Sequence, residues 1–410
     1  MPKIVIIGAG YGGILTALGW DRQFRKNNDV TITLVDKHDY QLFVSNLYEV
    51  ATAEEEMVSL KQLKKSIALP LGEIFKGTKV KVVKAEVTEI NPKAKTVAAG
   101  TQKFGYDYLV LAAGSVSDYF NVEGAEKFAL PLKTLKDAFN VKNQIEFALQ
   151  RYRQDLNKKN MRIVVAGGGF TGVELAGELP GFLDILAWKN QYPRGKIEIT
   201  IVDADNRLIS SLSPHLSMDA LERLQDLKVR VQLSSKIVKV DANFVELSTG
   251  DRMEYDVLVW TTGVKAASLP FTEKMNTDRK DRVITNKFLQ LENYANIFAL
   301  GDGAGIVNYD GRPAPPSAQD AIEQSNYVTY ALPLIMQNKK PVPYWGKKHG
   351  YIISIGGKWA ILDYGVFYFT GWPAYFVRQL ANLNYFRQVV GWWKAIKLVV
   401  FEMEIYSRND

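Results

Sequence analysis

After Lys3 the chain opens on four apolar residues, Ile4-Val5-Ile6-Ile7, that end in glycines. A short apolar run bounded by turn residues predicts a strand buried on both faces, as inside a parallel sheet. Gly8-x-Gly10-x-x-Gly13 follows, with Gly12 as a further glycine, and then a stretch of small and apolar residues predicted as a helix. A second strand, Thr31 to Val35, ends at Asp36, and YDYLVLAAG (Tyr106 to Gly114) is a third that runs into a glycine. The pattern then recurs. RIVVAGGGFTG (Arg162 to Gly172) carries Gly167-x-Gly169-x-x-Gly172 and leads into a helix from about Val173. Ile197 to Val202 is the next strand, ending at Asp203, and YDVLVWTTG (Tyr255 to Gly263) closes the set. The element order is identical, with offsets of about 150 to 170 residues that vary as loops do.

Each part of the repeated cassette has a physical task. The first glycine permits a tight turn, the second lets backbone approach a pyrophosphate, and the third packs the helix against its strand. The helix N-terminus then offers free N–H groups and a positive dipole end to the phosphates. The acid that ends the second strand accepts hydrogen bonds from a ribose diol. One such glycine pattern is weak evidence; two, each with its strand, helix and terminal aspartate, predict two bound dinucleotides. Asp203 would repel a 2′-phosphate, which favours NADH over NADPH, although Arg207 stands close by in sequence.

Beyond Pro341 the pattern changes. Tyr351 to Ile355 and Trp359 to Leu362, separated by Gly356-Gly357, predict a hairpin. Aromatic residues then crowd the chain, Phe367, Tyr368, Phe369, Trp372, Tyr375 and Phe376 first, and Tyr385, Phe386, Trp392 and Trp393 after them. Pro373 suits the first turn of a helix. A second helix is predicted over Phe386 to Tyr406, with Phe386, Val389, Val390, Trp393, Ile396, Val400 and Met403 on one face and Arg387 and Lys394 to one side. Interleaved aromatic and basic residues suit a helix lying in the lipid headgroup region. A dimerisation or domain-packing helix would also bury aromatics, and a homodimer presenting both tails on one face satisfies both readings.

Composition narrows the chemistry. The 410 residues suggest two or three domains at about 150 residues each. With 51 Lys and Arg against 44 Asp and Glu the net charge is +7, mild and without a basic block, which argues against nucleic acid and leaves an anionic membrane surface or a phosphate-bearing ligand. Cysteine is absent, so disulfides, thiolate-held iron–sulfur clusters, c-type haem attachment and thiol nucleophiles are excluded. His38, His215 and His349 are too few and too scattered for a zinc site or a histidine triad, and no metal is expected. The chemistry is expected from a bound cofactor, or from carboxylates and amides. With no secretory signal and no run of about 20 apolar residues, the chain is expected to start in the cytosol without crossing a bilayer.

With both cassettes placed, the chain resembles the two-dinucleotide-fold flavoproteins of glutathione-reductase architecture. NIFALGDGA (Asn296 to Ala304), with Gly301-Asp302, is similar to the family element that contacts the flavin ribityl–phosphate region. The resemblance implies an α/β fold of two Rossmann-like dinucleotide-binding domains: an FAD-binding domain at 1–115 and 270–335, and an NAD-binding domain at 116–269. Residues 336–410 would form a C-terminal hairpin and membrane-associating helices.

Without cysteines, disulfide and sulfide:quinone reductases are set aside, and the nearest resemblance is to type II, non-proton-pumping NADH:quinone oxidoreductases. LVDKHDYQLFVSNLYEVATA (Leu34 to Ala53), FTGVELAGEL (Phe170 to Leu179) and PPSAQDAIEQ (Pro315 to Gln324) carry it. The last is similar to the family's AQxAxQQ motif, with Glu323 in place of its first glutamine. The resemblance implies FAD held by Gly8, Gly10, Gly12, Gly13, Asp36, Gly114, Gly301 and Asp302. It implies NADH held by Gly167, Gly169, Gly172, Asp203 and Gly263.

Glu174 is then expected near the nicotinamide–flavin contact, Gln319 at the quinone, and Glu323 either in proton delivery and quinone preference or as a solvated acid. A hydride would pass from NADH to flavin N5, and two electrons on to a membrane quinone, menaquinone or ubiquinone. The protein would lie peripherally on the cytoplasmic side of the cell membrane. Two other readings share the cassettes: a soluble NADH-dependent ferredoxin- or rubredoxin-type reductase, and an NADH-sensing flavoprotein that is reduced once and stalls.

Overall fold

The Ile4–Ile7 run sits inside a six-stranded sheet in the computed structural model, which describes residues 1–25, 30–53, 60–154, 160–308, 311–347 and 349–406. Strand β1 (Lys3–Ile7) feeds helix α1 (Tyr11–Phe24), and the chain returns as β2 (Thr31–Asp36). Two short helices follow, α2 (Leu47–Ala51) and α3 (Leu60–Ile67), and then strands β3 (Lys81–Lys84) and β4 (Tyr108–Leu111). The chain next builds a second sheet. It runs through β5 (Leu130–Pro131), β6 (Met161–Ala166), helix α4 (Phe170–Lys189), β7 (Ile197–Val202), β8 (Arg230–Gln232) and β9 (Val257–Trp260). It then comes back to the first sheet with β10 (Gln290–Leu291) and β11 (Tyr294–Ala299), and continues into α5 (Ala318–Met336).

The two sheets are built alike. Their orders are β10-β11-β4-β1-β2-β3 and β5-β9-β6-β7-β8, so β4-β1-β2-β3 in one matches β9-β6-β7-β8 in the other. All these pairings are parallel except β10 with β11. Register aligns Ile4 with Ile32 and Ile6 with Leu34, and in the second sheet Ile163 with Ile199. Ile4, Ile6, Leu34, Leu109 and Val110 are all buried. In the second sheet helices cover one face, and on the other Val164, Leu258 and Trp260 pack with Ile237, Val245 and Leu247 of a three-stranded antiparallel sheet, so strands buried on both sides read as continuous apolar runs without alternation.

The C-terminal segment spans both sheets. Beyond the predicted hairpin, β12 (Tyr351–Ser354) with β13 (Ala360–Asp363), lies a third antiparallel strand, β14 (Tyr368–Gly371). The Gly356-Gly357 turn of this meander sits directly on α4. A Cβ on Gly177 would meet the Gly356 nitrogen, and Arg223 donates to the Ile355 carbonyl at 3.0 Å and the Gly356 carbonyl at 2.8 Å. Helices α6 (Trp372–Val390) and α7 (Trp392–Tyr406) then cross to the first unit.

The single helix predicted over Phe386 to Tyr406 is therefore corrected. Gly391, at φ +79°, ends one helix, and the next begins at Trp392. The break also divides the predicted face. Phe386 and Val389 are core residues, whereas Trp393, Ile396, Val400 and Met403 are exposed and Ala395, Val399 and Glu402 point inward. Arg387 and Lys394 are engaged within the chain. Arg387 donates to Asn384 at 2.9 Å and lies over the Trp392 ring, and Lys394 pairs with Glu73 at 2.6 Å.

Candidate functional site

At both strand-to-helix turns the glycines divide their tasks in the same way. Gly8 (φ +104°) and Gly167 (φ +109°) hold a backbone conformation that side chains resist, and a Cβ on either would strike the neighbouring strand end. A Cβ on Gly13 or Gly172 would run into the carbonyl of Gly8 or Gly167, so each third glycine fixes how closely helix approaches strand. Gly10 and Gly169 face open space, where a phosphate can reach the backbone. Gly12 lies against the Leu300 side chain, which seats α1 on the end of β11. These two cradles fit the two dinucleotides: closed where helix must meet strand and open where a pyrophosphate must enter.

The acids at the strand ends are positioned alike. Asp36 accepts from the backbone N–H of Ala9 at 2.7 Å and from that of His38 at 2.7 Å. Asp203 accepts from the Gly168 N–H and, at 2.6 Å, from the Asp205 N–H. Each carboxylate is thereby aimed at its cradle, with lone pairs left for a ribose diol. Arg207 is turned away, donating to the Leu212 carbonyl at 2.9 Å and to the Ser210 carbonyl within 3 Å.

Three further elements meet beside the first cradle. Gly114 (φ +71°) ends β4, and Gly301 (φ +71°) begins the turn after β11. The Gly301 N–H donates to Gln324 of α5 at 2.6 Å, so this helix is registered on the Gly301-Asp302 turn. Asp302 accepts from the Ser115 hydroxyl and lies 3.6 Å from the Lys133 ammonium. Gly263, at the matching place in the second unit, abuts the Phe120 ring. Gln319 is exposed in the first turn of α5. Glu323, one turn on, accepts from His349 at 2.9 Å and from the Lys347 N–H at 3.2 Å, tying α5 to the segment that enters β12. That departs from a freely solvated acid.

Glu174 stands at the start of the second turn of α4, because the helix begins at Phe170 where the sequence predicts about Val173. There, half-buried, it borders a buried charge cluster. Arg378 of α6, 6% exposed, donates to Glu49 of α2 at 3.0 Å and to the Asn46 side chain at 2.9 Å, and its guanidinium lies over the Tyr48 ring. Tyr48 also donates to Glu49 at 3.1 Å. Burial pushes the Glu174 carboxyl up to about 8; Arg378 opposes the rise, Glu49 adds to it and a backbone hydrogen bond at Ser354 opposes it. Glu402 of α7, 2% exposed, is raised well above the carboxylate range by burial and then by Glu49.

No pattern along the chain signals this cluster. Arg378 lies in a segment whose aromatic and basic residues suggest lipid, Glu49 lies within the Leu34–Ala53 stretch without standing out in it, and Glu402 has no motif of its own. Neither does Lys133, although it approaches Asp302.

Known proteins match the chain as a whole. The family model described as pyridine nucleotide-disulphide oxidoreductase covers residues 2–325. A type II NADH:quinone oxidoreductase of Staphylococcus haemolyticus is 26% identical over 404 residues, 96% of this chain and 98% of that one. A protein of the same description from Staphylococcus aureus (strain NCTC 8325 / PS 47) is 28% identical over 360 residues, 86% and 87% of the two chains. Among solved structures, NDH2 from Plasmodium falciparum in complex with NADH superposes with a TM-score of 0.84 at 18% identity, over 99% of each chain. The sulfide:quinone oxidoreductase of Aquifex aeolicus gives 0.76 at 19% identity, over 95% and 92%.

Proposed function

The chain belongs to the pyridine nucleotide-disulphide oxidoreductase family, and from that premise we propose that it is an FAD-dependent, type II NADH:quinone oxidoreductase. The observation that carries this reading is the pair of matched cradles in a chain without cysteine. Two dinucleotides fit, and a redox thiol relay has no residue to work with. Relatives described as type II NADH:quinone oxidoreductases, matched over nearly their full length, support quinone as the acceptor.

The residues divide the work. Gly8, Gly10, Gly13 and Asp36 would hold FAD, with Gly114, Gly301 and Asp302 along it; Gly167, Gly169, Gly172, Asp203 and Gly263 would hold NADH. FAD, when bound, supplies a hydride acceptor for NADH and a two-electron donor for quinone. The protein's own part is to align the two and exclude water. Asp203, with Arg207 tied back to its own loop, favours NADH over NADPH. Glu174, held neutral up to about pH 8, can keep and release a proton near the junction of the two units. Gln319 stands free to meet an acceptor at the start of α5. Glu323, bonded to His349, sets the angle of that helix. The first sheet and α5 would form the flavin unit and the second sheet the NADH unit, close to the bounds 1–115 with 270–335 and 116–269.

Among the described residues no helix is long and apolar enough to cross a membrane. Trp372 (67% exposed), Phe376, Trp393 (83%), Ile396 and Val400 on α6 and α7, with Val366 (92%) and Phe367 at the β13–β14 turn, nevertheless leave large apolar side chains in water. Such a surface needs a partner. We assign it to the lipid headgroup region and propose a peripheral enzyme on the NADH-bearing, cytoplasmic side; a second copy of the chain sharing that face is the compatible assembly.

Anaerobic stopped-flow absorbance tests the activity: NADH first, then a short-chain menaquinone or ubiquinone, with NADPH as the control. Bleaching by NADH and fast recovery with quinone is expected. Bleaching that no quinone reverses would refute quinone as the acceptor and leave a protein electron carrier or a sensing role.

A further inference from the structure

Reducing a quinone with NADH consumes a proton: NADH, H⁺ and quinone give NAD⁺ and quinol. The hydride brings one hydrogen and both electrons, so the second hydrogen must reach the acceptor as a proton. We propose that Glu402 stores that proton, and that the Arg378–Glu49 cluster couples its release to the charge state of the flavin site. The proposal rests on the quinone-reductase reading for the destination of the proton, and on the burial of Glu402 on the inward face of α7 for its storage.

Glu402 lies on the inward face of α7, one and two turns after Val399 and Ala395, both buried apolar residues. An apolar side chain would continue that face at no electrostatic cost, whereas a buried carboxyl costs several kcal/mol if it ionises. The outward face of the same helix carries Trp393, Ile396, Val400 and Met403. Glu402 thus stands at the back of the surface assigned to lipid.

The surrounding groups account for its protonation. From α6 come Arg378 and Asn382, from α2 Glu49, and from α1 Tyr11. The guanidinium fork of Arg378 is already committed to Glu49 and Asn46. Among the described residues Arg378 thus faces Glu49, Glu174 and Glu402 together. Lys61, Lys64 and Lys65 of α3, which also packs on α7, are exposed, and so is Glu73, paired with Lys394. With Glu49 holding the direct bond to Arg378, Glu402 stays neutral. Its release needs a change in the balance between Arg378 and the carboxylates, and the end of the cluster that can supply it is Glu174, at the start of the NADH-binding helix.

The test uses the holoenzyme and the variants Glu402→Gln and Glu402→Asp, with Glu404→Gln, exposed on the same helix, as the control. Dithionite supplies two electrons and no hydride, so the proton taken up with them at the flavin site is drawn from the protein, and infrared difference spectra on this anaerobic reduction read the carboxyl directly, without NADH or quinone. The expected result is loss of a protonated-carboxyl band on reduction, absent from Glu402→Gln and restored, shifted, in Glu402→Asp. In turnover with quinone, Glu402→Gln should lose about tenfold above pH 7. That is less than the 10²–10⁴ of a direct proton donor, because Glu402 acts through other groups. Glu402→Asp should recover most of the loss.

A band that is unchanged in Glu402→Gln, or a pH profile that superimposes on the wild type, overturns the proposal. If quinone fails to reoxidise the wild type, the quinone reading falls and the infrared arm still decides whether Glu402 yields a proton on reduction. If Glu402→Gln does not fold, Glu402→Asp carries both measurements, and a band and profile unmoved in it overturn the proposal.

Discussion

Replacing Glu174 by glutamine should make the protein more stable and less active, with a gain in stability that depends on pH. In the native state burial holds this carboxyl up to about 8, against its ordinary 4.5. Between those values the folded chain keeps a proton that the unfolded chain has given up, so stability falls as pH rises. The Glu174 contribution is fully present below 4.5, declines through neutrality and is gone above about 8. Each pH unit in that window is worth about 1.4 kcal/mol. At pH 7, roughly two and a half units above 4.5, the carboxyl costs the native state about 3 kcal/mol that an isosteric amide does not.

Unfolding entropy scales with length at about 2 cal/mol/K per residue, so for this chain that gain corresponds to a rise in melting midpoint of about 3–4 °C. Thermal melts of wild type and Glu174→Gln at intervals from pH 5 to pH 8 measure it. The two curves should nearly coincide at the acid end and separate steadily as pH rises. Quinone-dependent turnover should fall in the same variant, since a buried ionisable group at a site exchanges stability for chemistry. Curves that stay parallel across the range would refute the assignment of a half-buried, protonated Glu174.

Other outcomes follow from particular contacts. Arg378→Met strands Glu49 in the core without its cation and should cost about 3–5 kcal/mol, read from denaturant melts. Gly169→Ala should fold and retain flavin but bind NADH at least about tenfold more weakly, because its Cβ enters only the open phosphate cradle; Gly172→Ala, whose Cβ meets the Gly167 carbonyl, should instead lower the melting midpoint. Asp203→Ser should raise kcat/KM for NADPH relative to NADH, with flavin content unchanged, in steady-state assays with both donors. A Trp392→Ser, Trp393→Ser double variant should float poorly with anionic vesicles while bleaching with NADH at the wild-type rate, which separates lipid docking from hydride transfer.

The sequence determined by itself those features that are local in the chain. A glycine three residues after another, at a strand's end and a helix's start, has one geometric use, so the turns at Gly8–Gly13 and Gly167–Gly172 were legible without coordinates. So were Asp36 and Asp203, because a strand fixes which residue stands at its end. The repeated order of elements carried the fold, since equal local patterns make equal units. Tertiary structure decided what depends on residues distant in sequence. Arg378 meets Glu49 across 329 positions, and no periodicity marks a cation as destined for a buried carboxylate rather than for water or lipid.

The helix break at Gly391 belongs to the same class. Helical spacing alone continued one apolar face from Phe386 to Met403, but a glycine at positive φ turned the two halves to different surroundings, the first to the core and the second to solvent. Glu323 could be read as a solvated acid until His349 was folded against it. Charge and burial are properties of the packed ensemble of side chains. For that reason the phosphate cradles could be written down from the chain, while the protonation of Glu174 and Glu402 emerged only when α2, α4, α6 and α7 came together.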